Sequence, residues 1–198
     1  MVGSDICLVA RDHGPAVQLD IFRKGTHGER LLSADLVPCF QVGPHYYVAK
    51  TYTTWRRSVS SPDLLWRQSF SLKEKEILEY MDRDHGCRHE LLRIVKTIVK
   101  RHPESFKKLA KDSYCLKTAF MYYIGKGGQN WLGDNALGEH FLGFLGELQS
   151  YLERGNLPHY WLPGVDLLDD IGRRVLVQMA NRLKKILNNE LVRNKILA

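Results

Sequence analysis

The 198-residue chain reads as an α+β protein, a β-containing lobe over residues 1–70 followed by an all-helical lobe over residues 71–198. Three observations predict this. Ala16–Phe22 alternates, with Val17, Leu19 and Ile21 on one face, the period of two of a half-buried strand. From Ser71 onward the apolar period becomes 3.6 residues. In that second part, Gly125–Gly128, Asn156-Leu157-Pro158 and Leu162-Pro163-Gly164 separate segments of helical length.

In chain order, the strand Ala16–Phe22 leads into a Gly-bearing turn, Lys24–Glu29. A second apolar run, Leu31–Val42, with Pro38 near its end, reads as the returning strand of an antiparallel hairpin. Tyr46–Ala49 is a further short strand. Ser71-Leu72-Lys73-Glu74 has the form of a capping box and starts a helix to about Tyr80. Leu91, Leu92, Val95, Ile98 and Val99 form one stripe of a helix from Cys87 to Lys100. Helical patterns then cover Pro103–Ala110, Tyr114–Ile124, Asn135–Arg154 and Leu167–Asn188.

Composition bounds the function class. Hydrophobic residues make up 44% and charged residues 26%, as in ordinary globular proteins. No apolar run reaches the roughly 18 residues of a membrane span, and the N-terminus lacks the basic and apolar regions of a signal peptide. Cys7, Cys39, Cys87 and Cys115 form no CxxC pair and read as free thiols of a reducing compartment, cytoplasmic or nuclear. His85, Cys87 and His89 crowd three ligands into five residues, poor spacing for tetrahedral zinc, so no zinc is expected. Lys and Arg outnumber Asp and Glu by 29 to 22, and the net charge of +7 favours polyanionic partners.

Several residues carry two readings each. Asp35 sits within an apolar strand, where a carboxylate is costly unless paired or metal-bound; the plain alternative is a solvent-facing residue beside Ser33. For Asp20, on the preceding strand, the solvent-facing reading is preferred. His89, Arg93, Lys96 and Lys100 form a basic stripe opposite the apolar one, either a solvated face or a phosphate contact. Ser113 either caps a helix or holds a phosphate at its N-terminus, and Tyr114 either fills the core or stacks on a base. Arg67 either stacks on Trp66 or offers its planar fork to a base or phosphate. Gly3-Ser4 is too short to carry meaning, and Gly125-Lys126-Gly127-Gly128 lacks the P-loop form.

Two clusters point further: Trp66-Arg67-Gln68-Ser69-Phe70-Ser71 and Ser113-Tyr114-Cys115-Leu116-Lys117-Thr118. Packing alone does not call for these polar and aromatic residues where a helix starts. With His13-Gly14-Pro15-Ala16-Val17, Ser33–Pro38, Glu74–Leu78, Cys87–Lys96 and Leu157–Pro163, they resemble, in order, the landmarks of the cyclic GMP-AMP synthase (cGAS) and Mab-21-like nucleotidyltransferases. The resemblance implies the second half of a mixed nucleotidyltransferase sheet followed by a helical lobe of helix-hairpin-helix (HhH/H2TH-like) type. It implies that Asp35 is a catalytic, metal-binding carboxylate, with Mg²⁺ or Mn²⁺ as the ion. Arg67, Ser69, Ser71 and Glu74 would face the acceptor nucleotide, and Lys50 is a looser match to a substrate-pocket lysine. Lys96 and Ser113 would hold phosphates, and Tyr114 would stack on a base.

The substrates so implied are ATP and GTP, joined into a cyclic dinucleotide in innate immune signalling. The family's Gly-Ser motif and its spaced carboxylate pair lie well before the GPAV strand. Here Gly3-Ser4-Asp5 is not followed by such a pair. One Asp cannot hold two metals, so this chain alone is expected to be inactive, a fragment or truncated isoform. The segment Tyr80–Cys87 is too short for the zinc thumb of DNA-sensing members. Double-stranded RNA is therefore expected in preference to DNA on the basic face, with no membrane partner. The rival reading is a non-catalytic Mab-21-like scaffold that binds a nucleotide or a partner, with a developmental role.

Overall fold

The computed structural model describes residues 5–13, 16–25, 29–49, 66–111 and 113–197. The chain divides into two compact units, Met1–Leu72 and Lys73–Ala198. Its class is α+β, with antiparallel sheets followed by helices.

The first unit holds two three-stranded antiparallel sheets. In one, β1 (Ile6–His13), β2 (Ala16–Arg23) and β3 (Arg30–Leu36) lie in that order. The β2–β3 register sets Val17 against Leu36, Leu19 against Ala34 and Ile21 against Leu32. Opposed residues share a face, so these pairs make one apolar face, and the hairpin has the predicted sidedness. Gln18 against Asp35 and Asp20 against Ser33 make the other face polar.

The second sheet contains β4 (Cys39–Val42), β5 (His45–Ala49) and β6 (Trp66–Ser69). The run Leu31–Val42, expected as one strand, is therefore two strands in different sheets. Pro38 lies at the break, and a proline has no N–H to continue a ladder. Gly43, with φ of 57°, takes the first corner of the two-residue β4–β5 turn, the left-handed conformation that such a hairpin requires.

The second unit is helical: α2 (Arg88–Arg101), α3 (Pro103–Lys111), α4 (Ser113–Ile124), α5 (Ala136–Arg154), α6 (Arg173–Asn188) and α7 (Glu190–Leu197), with most of α1 (Ser71–Tyr80). The stripe predicted on α2 is the buried one: Leu91 and Val95 are fully covered, with Leu92, Ile98 and Val99 beside them. From α4, Leu116, Ala119 and Phe120 enter the same core, and Phe120 meets Phe144 of α5 edge-on at 5.4 Å.

One helical expectation changes, and one helix is new. Leu167–Asn188 is helical only from Arg173, because Asp166 Oδ1 accepts the N–H groups of Leu157 and Leu168 and holds that stretch as a turn. The short α7 was not predicted. It buries Ile196, and its Arg193 donates to the carbonyls of Ile186 and Leu187 at the C-terminal end of α6, where C=O groups lack helical partners. Among the described residues no helix is long and apolar enough to cross a membrane.

Candidate functional site

In the first unit Asp35 is an exposed β3 residue on the polar face of its sheet. Two positions along that face, Asp20 departs from the solvent-facing expectation. It is 1% exposed, its Oδ1 accepts the Ser33 hydroxyl at 2.7 Å, and the guanidinium groups of Arg30 and Arg11 lie 3.5 and 3.7 Å away. A buried carboxylate needs such company, and its oxygens are committed within the sheet.

Arg67 and Ser69 lie on β6 of the other sheet and, two residues apart, share a face. Trp66 is on the opposite face with its ring against Phe40, 4.9 Å between centroids. The expected alternative of an Arg67–Trp66 stack therefore does not form. Ser69 Oγ lies 3.0 Å from Ser71 Oγ and accepts the Ser71 N–H at 3.4 Å. Ser71 is itself the first helical residue of α1. Lys50 lies outside the described residues.

The second unit gathers the rest. Glu74, 6% exposed, projects from α1 and forms an ion pair and hydrogen bond with Lys117 of α4. The Lys117 ammonium also lies 5.4 Å from the Tyr114 ring centroid, because the two residues are three apart on one helix face. Lys96, half-buried on α2, feels the same charge: burial first, and repulsion from Lys117 second, hold its ammonium below the ordinary lysine range. Among the described residues no carboxylate pairs with Lys96. Ser113 is exposed at the first turn of α4, where backbone N–H groups lack helical partners.

Tyr114 is half-buried, and its Oη lies 3.1 Å from Nε2 of His159 in the turn after α5. In the same turn Trp161 has Lys73 at 5.5 Å from its ring centroid. The unit thus brings Glu74, Lys96, Lys117, Tyr114 and His159 into a chain of contacts and charge interactions across α1, α2, α4 and the turn. Lys117 and His159 lay inside the quoted motifs without an assigned role. The Tyr114-to-Lys117 spacing was a readable signal for the first, whereas the pairing of His159 with a residue 45 positions away left none.

Of the basic stripe, His89 and Arg93, but not Lys100, line a separate cleft of about 850 Å³, walled also by Arg101 of α2 and by Trp131 and Leu132. Its lining includes none of the Lys96–Tyr114 group. Asp82 organises its rim, accepting the N–H groups of Arg88 at 3.0 Å and His89 at 2.7 Å. Arg88 reaches Asp84 at 2.6 Å and lies 4.7 Å from the Trp131 ring centroid. Among the described residues no group of three or more His, Cys, Asp or Glu is placed to hold a metal ion.

Comparison with known proteins bears on the family of the chain. Residues 87–185 match the model of the Mab-21 protein HhH/H2TH-like domain. The chain is 56% identical over 198 aligned residues to cyclic GMP-AMP synthase-like receptor 3 of Stylophora pistillata, an alignment that covers 98% of this chain and 57% of that protein. A cyclic GMP-AMP synthase-like receptor of Trichogramma pretiosum is 30% identical, with 88% of this chain and 37% of the relative covered. For one of Tribolium castaneum the identity is 23%, with 89% and 45% covered. The chain thus spans about half the length, or less, of these relatives. With the helical domain matched over half of its residues, the chain belongs to the Mab-21 and cGAS-like nucleotidyltransferase family.

Proposed function

We propose that the second unit binds a nucleoside triphosphate, with Lys96 and Ser113 on its phosphates and Tyr114 on its base. One observation carries this reading. Lys96 is a half-buried cation with a second lysine beside it, and no carboxylate pairs with it among the described residues. Holding a desolvated ammonium near a like charge is costly unless an anion joins it. A polyphosphate supplies that anion through charge-assisted hydrogen bonds. Ser113, at the first turn of α4, adds a hydroxyl and the exposed N–H groups of a helix start.

Arg67, Ser69, Ser71 and Glu74 belong, on this reading, to recognition of the acceptor nucleotide. In the whole protein the reaction is attack of a ribose hydroxyl on an α-phosphate, releasing pyrophosphate and building a cyclic dinucleotide for innate immune signalling. When bound, Mg²⁺ or Mn²⁺ would neutralise charge developing on the phosphates, and Asp35 would supply one carboxylate to it. The described residues do not complete such a site. The cleft bearing His89, Arg93 and Arg101 is suited to the phosphate backbone of double-stranded RNA, through charge and shape.

A specific observation favours a second reading. Asp20, the carboxylate nearest Asp35 along the polar face, is engaged by Ser33, Arg30 and Arg11 and is not available as a metal ligand. A non-catalytic scaffold that binds the nucleotide as a ligand fits that arrangement. Titration of ATP and GTP into the full protein and its Lys96→Ala, Ser113→Ala double variant tests the binding common to both readings. Affinity is expected to fall at least about tenfold in the variant, the loss of one or two charge-assisted bonds. Unchanged affinity would remove both residues from the site.

A further inference from the structure

The turn after α5 presents an imidazole whose two nitrogens serve different elements. His159 Nδ1 accepts the backbone N–H of Trp161 at 3.1 Å and of Leu162 at 3.2 Å, closing the turn on itself. Nε2 reaches across to Tyr114 Oη at 3.1 Å, with the two rings 5.4 Å apart and tilted by 46°. A nitrogen that accepts two N–H groups carries no proton, so the ring proton is on Nε2 and is donated to the tyrosine oxygen. The tautomer is therefore set by the turn, and Tyr114 is held by the tautomer.

We propose that His159 is a positioning residue for nucleotide recognition: it locks the Tyr114 ring in one orientation and so prepares it as a platform for a base. The inference rests on the reading that Tyr114 stacks on the base. Fixing a half-buried tyrosine ring costs conformational entropy, which base stacking would otherwise have to supply. The bond from Nε2 meets part of that cost in advance, which strengthens binding by preorganisation. Lys117 is poised over the same ring and is itself held by Glu74. Ring and charge are thus set together, one by the turn and the other by α1. The sequence assigned no role to His159.

The turn bonds and the tyrosine bond can be separated. An asparagine places its Oδ1 where Nδ1 of histidine lies and can accept the same two N–H groups, but it has no atom that reaches Tyr114. His159→Asn therefore keeps the turn and removes the lock. Tyr114→Phe keeps the ring and removes the oxygen. The dissociation constants of ATP, GTP and inorganic tripolyphosphate are to be measured for the full protein, each single variant and the double variant.

The expected result is a loss of about three- to tenfold in ATP and GTP affinity for each single variant, the size of one hydrogen bond. The double variant should show no further loss, because both changes break one bond, and tripolyphosphate binding should be unmoved. Equal weakening of tripolyphosphate would show that His159 acts through the fold and would overturn the proposal. So would ATP affinity unchanged in His159→Asn but lost in Tyr114→Ala, which would leave the base platform standing without the lock. Wild-type affinity in Tyr114→Ala would instead overturn the base-stacking reading itself. Should His159→Asn lower the melting temperature sharply, Tyr114→Phe decides alone, since it leaves the turn intact: a nucleotide-selective loss supports the lock, and wild-type affinity overturns it.

Discussion

At the scale of single residues, Lys96 makes the sharpest predictions. Its ammonium is held below the ordinary lysine range by burial and by Lys117. The unfolded chain, with a lysine near pKa ~10.4, binds more protons than the folded chain between the two values, so that cost is relieved as pH rises through them. A bound polyphosphate reverses the preference and favours the charged form. Triphosphate affinity should thus fall on the alkaline side as pH rises through the lowered Lys96 value. Lys96→Arg, which stays charged, should bind with no such fall. A calorimetric pH series on both proteins checks this, and matching profiles would count against Lys96 as the phosphate contact.

Lys96→Met should raise the melting temperature of the ligand-free protein while weakening triphosphate binding, the usual conflict between a stable and a functional residue. Glu74→Gln should cost about 2 kcal/mol of stability, seen in urea melts, because it leaves the Lys117 charge partly buried without its partner.

At the scale of elements, the start of α2 rests on a cap that no local pattern announced. Asp82 lies six residues before Arg88, yet its carboxylate takes the N–H groups of Arg88 and His89. Burial alone would push that carboxyl up. Donation from His89 and Arg88 outweighs it and holds the group below its usual range. A depressed carboxyl contributes stability above its unfolded value, near pH ~4, which is lost as pH falls through the folded one. Asp82→Ala should therefore cost about 1–2 kcal/mol at neutral pH and lose the difference from wild type in strong acid. Equal melts at neutral pH would refute the cap.

Further along, Gly143 of α5 sits where an added Cβ would come 2.4 Å from Tyr123 Oη, the oxygen bonded to His140 Nδ1. Gly143→Ala must displace Tyr123 and should cost about 1–3 kcal/mol, measurable by thermal denaturation.

The helices were legible because their signal is local. The stripe Leu91, Leu92, Val95, Ile98 and Val99 both predicts α2 and names what it buries. Strands β1 and β6 were missed. Ile6–His13 alternates weakly, and Trp66–Ser69 is a strand only by its pairing with β5, some twenty residues earlier. The site shows the same division. Tyr114 and Lys117 share a helix face that spacing reveals, whereas the engagement of Glu74 by Lys117 and the reach of His159 to Tyr114 are tertiary contacts over 43 and 45 residues. Asp20 was misjudged for that reason too: its two arginines come from the strands on either side.

At the scale of the whole molecule, the net charge of +7 and the cleft formed by His89, Arg93 and Arg101 would make the proposed duplex binding depend on salt. Arg93→Ala and Arg101→Ala should each lower the slope of log affinity against log salt by about one, with little dependence on RNA sequence. Neither should alter ATP affinity, since that cleft and the Lys96–Tyr114 group share no residue. On the proposed reading the nucleotide is held by that group. The most direct measurement is amide hydrogen exchange of the full protein with and without saturating ATP or GTP. New protection is predicted at the start of α4 around Ser113–Lys117, along α2 near Lys96, and in the turn 158–163. Protection confined to residues 85–89 and 131–133 of the cleft, or no change at saturation, would rule out nucleotide binding by the Lys96–Tyr114 group.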